Sequence, residues 1–117
     1  MGRDQRSRGS ARRTLVRRGG VFWLELELEG RRPVCVLTRD AAIPTLANLA
    51  VALITTRVRG IPSEVPLGAE DGLPRPCAIS LDNLRTVPKA QLVQPITMLG
   101  PDKLALLCKA LQAATDC

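Results

Sequence analysis

Three short segments of this chain carry side chains able to act on a phosphodiester: Arg31-Arg32-Pro33, Thr55-Thr56 and Leu81-Asp82-Asn83-Leu84-Arg85-Thr86. A guanidinium fork grips two phosphate oxygens at once, and a hydroxyl adds a neutral donor. A carboxylate beside them can take or return a proton, and the arginine can stabilise the charge that builds on an attacked phosphate. Residue type alone does not decide this. Arginines at strand ends commonly sit in solvent, and threonine is also simply a good strand former. The decision rests on what the rest of the chain excludes and on how it places the three segments.

Exclusion comes first. Among the 117 residues there is no histidine and no tyrosine. Ser-His-Asp triads, histidine acid–base pairs and nearly all zinc and haem sites are thereby removed. The four cysteines, at 35, 77, 108 and 117, lack the close spacing of a metal knuckle or a redox pair. Neither a metal nor a cofactor is expected, and the cysteines read as reduced thiols of a cytoplasmic protein. No secretory leader is recognised, and no apolar run approaches the roughly 20 residues that span a bilayer, so no membrane partner is expected.

The net charge of +6 points to a polyanion, but its location qualifies it. Residues 1–18 hold seven arginines and one acid, Asp4, whereas the remaining 99 residues are balanced at ten positive and ten negative side chains. Residues 1–18 are therefore expected to be a flexible basic tail, either an arm for RNA or an extension without function. Residues 19–117 are expected to form the folded domain.

Within that domain the hydrophobic pattern sets the frame. Leu24, Leu26 and Leu28 alternate with Glu25, Glu27 and Glu29, which predicts a strand over Val21–Glu29 with one dry face. Gly30 turns the chain into a second strand, Pro33–Thr38. Residues 40–48 predict a loop or helical turn, and Leu49–Thr56, apolar until its last two residues, predicts a strand buried on both faces. Further strands are expected at Glu64–Leu67, Cys77–Thr86 and near Pro95–Met98, with a helical turn over Pro88–Leu92. Gly100, Pro101 and Asp102 then announce a helix over Pro101–Ala114, its apolar stripe at Leu104, Leu107, Cys108 and Leu111. Trp23 is expected in the core. The fold class is mostly β with a C-terminal α-helix: a small, strongly bent antiparallel barrel or half-barrel. Antiparallel pairing of the second and third strands would bring Arg32 beside Thr55 at one rim.

At these same residues the chain resembles the MazF/PemK family of toxin endoribonucleases. The resemblance runs through Gly30–Asp40, Val51–Thr56, Glu64–Leu67 and Gly72–Val87 to the closing helix, in the family's order. Arg32-Pro33-Val34 and Asp82-Asn83-Leu84-Arg85-Thr86 are its most specific pieces. It implies an SH3-like antiparallel β-barrel acting as a homodimer, with single-stranded RNA as substrate and an antitoxin protein as inhibitor. Cleavage would be sequence-specific and metal-independent, the RNA's 2′-hydroxyl attacking the adjacent phosphorus and leaving a cyclic phosphate. Carried over by position, Arg32, Thr55 and Asp82 would be the catalytic residues, and Arg31, Thr56, Arg57, Asn83 and Arg85 would contact RNA. Asp82 has a structural alternative, tethering Arg85 or a loop amide. Two other functions stay open: a non-catalytic RNA-binding or regulatory barrel, and a gyrase-directed toxin on the same fold. The ending Ala-Thr-Asp-Cys117, without a tryptophan, argues against the second.

Overall fold

Alternating leucines and glutamates open the first strand, and a tight turn ends it sooner than the pattern alone predicts. A computed structural model describes residues 16–116; residues 1–15 of the expected basic tail and Cys117 lie outside the described residues. Strand β1 spans Gly20–Leu26 and β2 spans Gly30–Val36, joined by Glu27, Leu28 and Glu29. The expected extension of β1 to Glu29 is therefore corrected. Gly30 stands at φ +77° and closes the hairpin opposite Leu26. A short connection closed by a left-handed glycine is a common hairpin solution. It throws Leu28 to the tip, 97% exposed.

Four more strands and a helix complete the chain: β3 (Asn48–Thr55), β4 (Glu64–Leu67), β5 (Cys77–Pro88), β6 (Leu92–Met98) and α1 (Pro101–Thr115). All strand pairs are antiparallel, in the order β4-β5-β3-β2-β1-β6, and the sheet curls into a half-barrel with β4 and β6 at its edges. This is the expected fold class. Central strand β3 is buried on both faces, as its composition requires. Leu49, Val51 and Leu53 pack with Phe22, Leu24, Val34, Val36 and Val87 on one side. Ala52 and Ile54 pack with Val21, Cys35, Ile79 and Leu81 on the other, beneath Leu107 and Ala110 of α1.

The helix begins as read, with Gly100 as N-cap and Pro101 in the first turn. Its buried stripe is turned, however, running through Leu104, Leu107, Ala110 and Leu111 while Cys108 is exposed. Small Ala110 lets the helix approach the sheet closely. Lys103 is half-buried, 3.4 Å from Asp71 and donating to the Pro66 carbonyl. Trp23 is only half-buried, paired across the sheet with Pro33 and Gln94 rather than lodged in the core. Among the described residues, no helix is long and apolar enough to cross a membrane.

Two irregularities shape the side of the sheet that carries the arginines. The β2–β3 ladder stops at Val34↔Leu53, next to Pro33, which has no N–H to contribute. In β5, Ala52 pairs with Leu84 but Leu53 pairs with Ser80, so Leu81, Asp82 and Asn83 bulge away from β3.

Cys35, Cys77 and Cys108 carry free thiols. Burial pushes the Cys35 thiol up to about 12, with Arg18 pulling the other way. Burial and the nearby Asp71 carboxylate raise Cys77 as well. An unfolded chain ionises such thiols near pH 9.0. Above that pH the unfolded state sheds protons that the folded state keeps, so stability is complete below it and is lost as pH climbs toward the folded value. No tyrosine titrates in the same window. Urea midpoints are expected to fall between about pH 9 and pH 11, and to fall less in Cys35→Ala. Equal falls in the two proteins would show that Cys35 contributes nothing to the pH dependence.

Candidate active site

The β1–β2 hairpin decides which arginine faces which way. Arg32 lies opposite Leu24 and Arg31 opposite Glu25. Successive strand residues point to opposite faces, so the two guanidiniums separate. Arg31 leans toward Glu25, 3.8 Å away, and donates to Gln94 Oε1 at 3.3 Å. It borders an open groove of about 660 Å³ with Glu25, Leu26, Gln91 and Val93. Arg32 emerges instead on the face of Leu24 and Val34, where Arg85 also lies because β5 sets it opposite Val51.

On that face one carboxylate joins two strands. Arg85 Nη1 donates to Glu29 Oε1 at 3.2 Å and to Oε2 at 3.4 Å, and Arg32 Nη1 stands 3.8 Å from the same Oε1. Arg32 and Arg85 are 37% and 38% exposed and Glu29 47%, so all three are within reach of a solvent-borne polyanion. Two guanidiniums converging on one oxygen make an anion site, built from the hairpin turn, β2 and β5 together. Sequence reasoning missed Glu29 because the alternation assigned it to a wet strand face. The signal was present: an acid three residues before Arg32, across a turn glycine.

The remaining expected residues have other partners. Thr55 closes β3, and carrying the Val34↔Leu53 register two residues further would set it opposite Arg32, although the ladder itself ends first. Its Oγ1 accepts from the Arg57 amide at 3.0 Å. Thr56 and Arg57 are exposed just beyond. Asp82, in the β5 bulge, accepts a hydrogen bond from the Ser63 hydroxyl. The anticipated tether to Arg85 is thus corrected: the carboxylate beside Arg85 is Glu29. Asn83 donates to the Ser80 hydroxyl at 2.8 Å. The geometry therefore brings Arg32 and Arg85 together through Glu29, puts Arg31 on the opposite face, and gives Thr55, Asp82 and Asn83 bonds of their own. Among the described residues, no cluster of three or more Cys, Asp or Glu side chains is placed to hold a metal ion.

Comparison with known proteins gives this arrangement its context. Residues 17–115 match the family described as the PemK-like, MazF-like toxin of type II toxin–antitoxin systems. A Mycobacterium tuberculosis protein named probable endoribonuclease MazF5 is 45% identical over 104 residues, covering 88% of this chain and 95% of its own. The solved structure of the Mycobacterium tuberculosis toxin MazF-mt6 superposes with a TM-score of 0.76 at 38% identity, over 83% of this chain and 96% of that one. An endoribonuclease from a mycobacterial species, solved in complex with its cognate antitoxin, superposes with a TM-score of 0.78 at 26% identity, over 86% of this chain and 95% of that one. With the half-barrel, the terminal helix and nearly the whole of each relative's length in common, the chain belongs to the PemK-like, MazF-like toxin family.

Proposed function

We propose that this chain is the toxin endoribonuclease of a type II toxin–antitoxin system and cuts single-stranded RNA without a metal ion. The convergence of Arg32 and Arg85 on one exposed point carries this reading. It supplies positive charge where a phosphodiester can reach it, in a chain without histidine.

In the reaction, the RNA's 2′-oxygen attacks the adjacent phosphorus and loses its proton. The bond from phosphorus to the 5′-oxygen breaks, and that oxygen leaves with a proton. The products are a 2′,3′-cyclic phosphate and a 5′-hydroxyl. Arg32 offsets the charge of the pentavalent phosphorane, and Thr55 holds a phosphate oxygen with its hydroxyl. Asp82 is the carboxylate proposed for proton transfer, steadied by Ser63. Arg31, Thr56, Arg57, Asn83 and Arg85 contact the strand around the cut. DNA lacks the attacking hydroxyl and is spared. The protein acts in the cytoplasm and is held in check by an antitoxin protein; a mycobacterial relative is solved in complex with its cognate antitoxin.

Incubating the purified protein with a long single-stranded RNA in chelator, then mapping the ends, tests the chemistry. Cyclic phosphate and 5′-hydroxyl ends are expected. Cutting that stops in chelator and returns only with Mg²⁺ would sink the mechanism, and no cutting at all would favour a binding-only barrel.

Single-turnover cleavage by alanine variants tests the residues, with circular dichroism to confirm folding. Losing the charged donor of Arg32 should cost at least about 10²–10³ in rate. Thr55→Ala should cost less, up to about tenfold, since a neutral hydrogen bond contributes roughly 0.5–1.5 kcal/mol. Arg31→Ala should cost least. A dead Arg31→Ala beside a near-normal Arg32→Ala would reverse the assignment of faces.

A domain this small buries a limited share of its surface, and pairing about a two-fold axis is the common remedy. Sedimentation should therefore find a homodimer at micromolar concentration. A fully active monomer there would rule the dimer out.

A further inference from the structure

The hairpin turn sets a carboxylate between two arginines that the proposed reaction gives to RNA. Glu29 Oε1 lies 3.8 Å from Arg32 Nη1 and 3.2 Å from Arg85 Nη1. The arginines come from different strands, and their like charges repel unless an anion stands between them. Carboxylate and phosphodiester are alike here. Each carries one negative charge and offers two oxygens to a guanidinium. They cannot occupy the same point together.

Glu29 is also placed to leave. It ends the three-residue turn, next to Gly30, around which nothing lies within 4 Å of a would-be Cβ. Its neighbour Leu28 is 97% exposed, so the tip can move without opening the core. Both ion pairs are solvent-exposed, hence weak and screened by salt.

We propose that Arg32 and Arg85 together hold one RNA phosphate, and that Glu29 keeps that place in the free protein as a built-in competitor that substrate displaces. This rests on the endoribonuclease reading above and deepens it, adding a second ligand for the phosphate and naming the anion that must move.

The test is equilibrium binding of a single-stranded oligoribonucleotide, 2′-O-methylated so that it cannot be cut, followed by fluorescence anisotropy across a salt series. Wild type is compared with Glu29→Gln and with Glu27→Gln. The second variant makes the same charge change in the same turn, at a residue with no arginine partner among the described residues. Glu29→Gln is expected to bind about three- to tenfold tighter at low salt, the scale of two exposed pairs removed. Its salt dependence should steepen by about 0.7 in log–log slope for each arginine freed. Most of that gain should vanish when Arg85→Gln is already present. Equal tightening by Glu27→Gln would overturn the proposal, leaving only bulk charge. So would a Glu29→Gln protein that binds no tighter and cleaves unmethylated RNA more slowly, because Glu29 would then be positioning Arg32. A wild type that cuts RNA while Glu29→Gln changes nothing defeats this proposal alone, whereas a wild type that neither binds nor cuts defeats the endoribonuclease reading with it.

Discussion

The turn at Gly30 is the constraint on which the site depends. At φ +77° the backbone adopts a conformation that other residues enter only with strain, and it allows Leu26 and Gly30 to close the hairpin. From that closure the pairing runs without a choice: Glu25 with Arg31, Leu24 with Arg32, Trp23 with Pro33. One residue more or less in the turn would exchange the faces of the two arginines. It would also turn Val34 and Val36 away from the cluster that Phe22, Leu24 and Val51 build. The core therefore enforces the register, and the register aims Arg32. The same turn delivers Glu29 to the face that Arg32 shares with Arg85.

Burial on both faces of β3 gives this frame its stiffness. A slip of one residue would bring Ala50, Ala52 and Ile54 to the side now filled by Leu49, Val51 and Leu53, opening voids on one face and crowding the other. Regular pairing ends where the polar chemistry begins. Pro33 interrupts the ladder to β3, and the bulge at residues 81–83 releases Asp82 and Asn83 from it. Behind Thr55, the buried Glu64 accepts the amides of Arg59 and Gly60 at 2.9 and 3.0 Å, anchoring the loop that leaves the strand. The cost of holding charged groups is kept low by placing them at the rim, where water still reaches them.

What the sequence made legible follows the same division. Local periodicity located β3, β4 and α1 almost to the residue, because a two-sided apolar run, a short run before a glycine, and a Gly-Pro-Asp start are each local signals. It overran β1, because Leu28 continues the alternation and only the left-handed turn at Gly30 ends it. The stripe of α1 was read through Cys108 instead of Ala110, since the face a helix buries is set by the strands it packs on, which lie far off in the chain. The bulge in β5 and the pairing of Asp82 with Ser63 escaped for the same reason: a bulge is a relation between strands, and no single strand displays it. Opposite faces for Arg31 and Arg32 could be read in advance. Glu29 stands close enough to Arg32 in sequence to have been read as its partner, but that Arg85 of β5 shares the same carboxylate could not be.

If Glu29 keeps a phosphate's place, RNA binding at this point exchanges one anion for another. Affinity then records a difference between two guanidinium contacts of similar geometry, and the gain from a single phosphate is small even though both arginines are well aimed. Sequence preference must come from elsewhere, because a phosphate carries no base identity. The groove beside Arg31 has a mixed lining: a guanidinium, the carboxylate of Glu25, the amide of Gln91, and apolar walls at Leu26 and Val93. Adjacent residues of one strand thus look onto different surroundings, Arg32 onto Glu29 and Arg85, and Arg31 onto this groove. Such a division costs the protein no extra element, since the pleat of β2 already provides two faces.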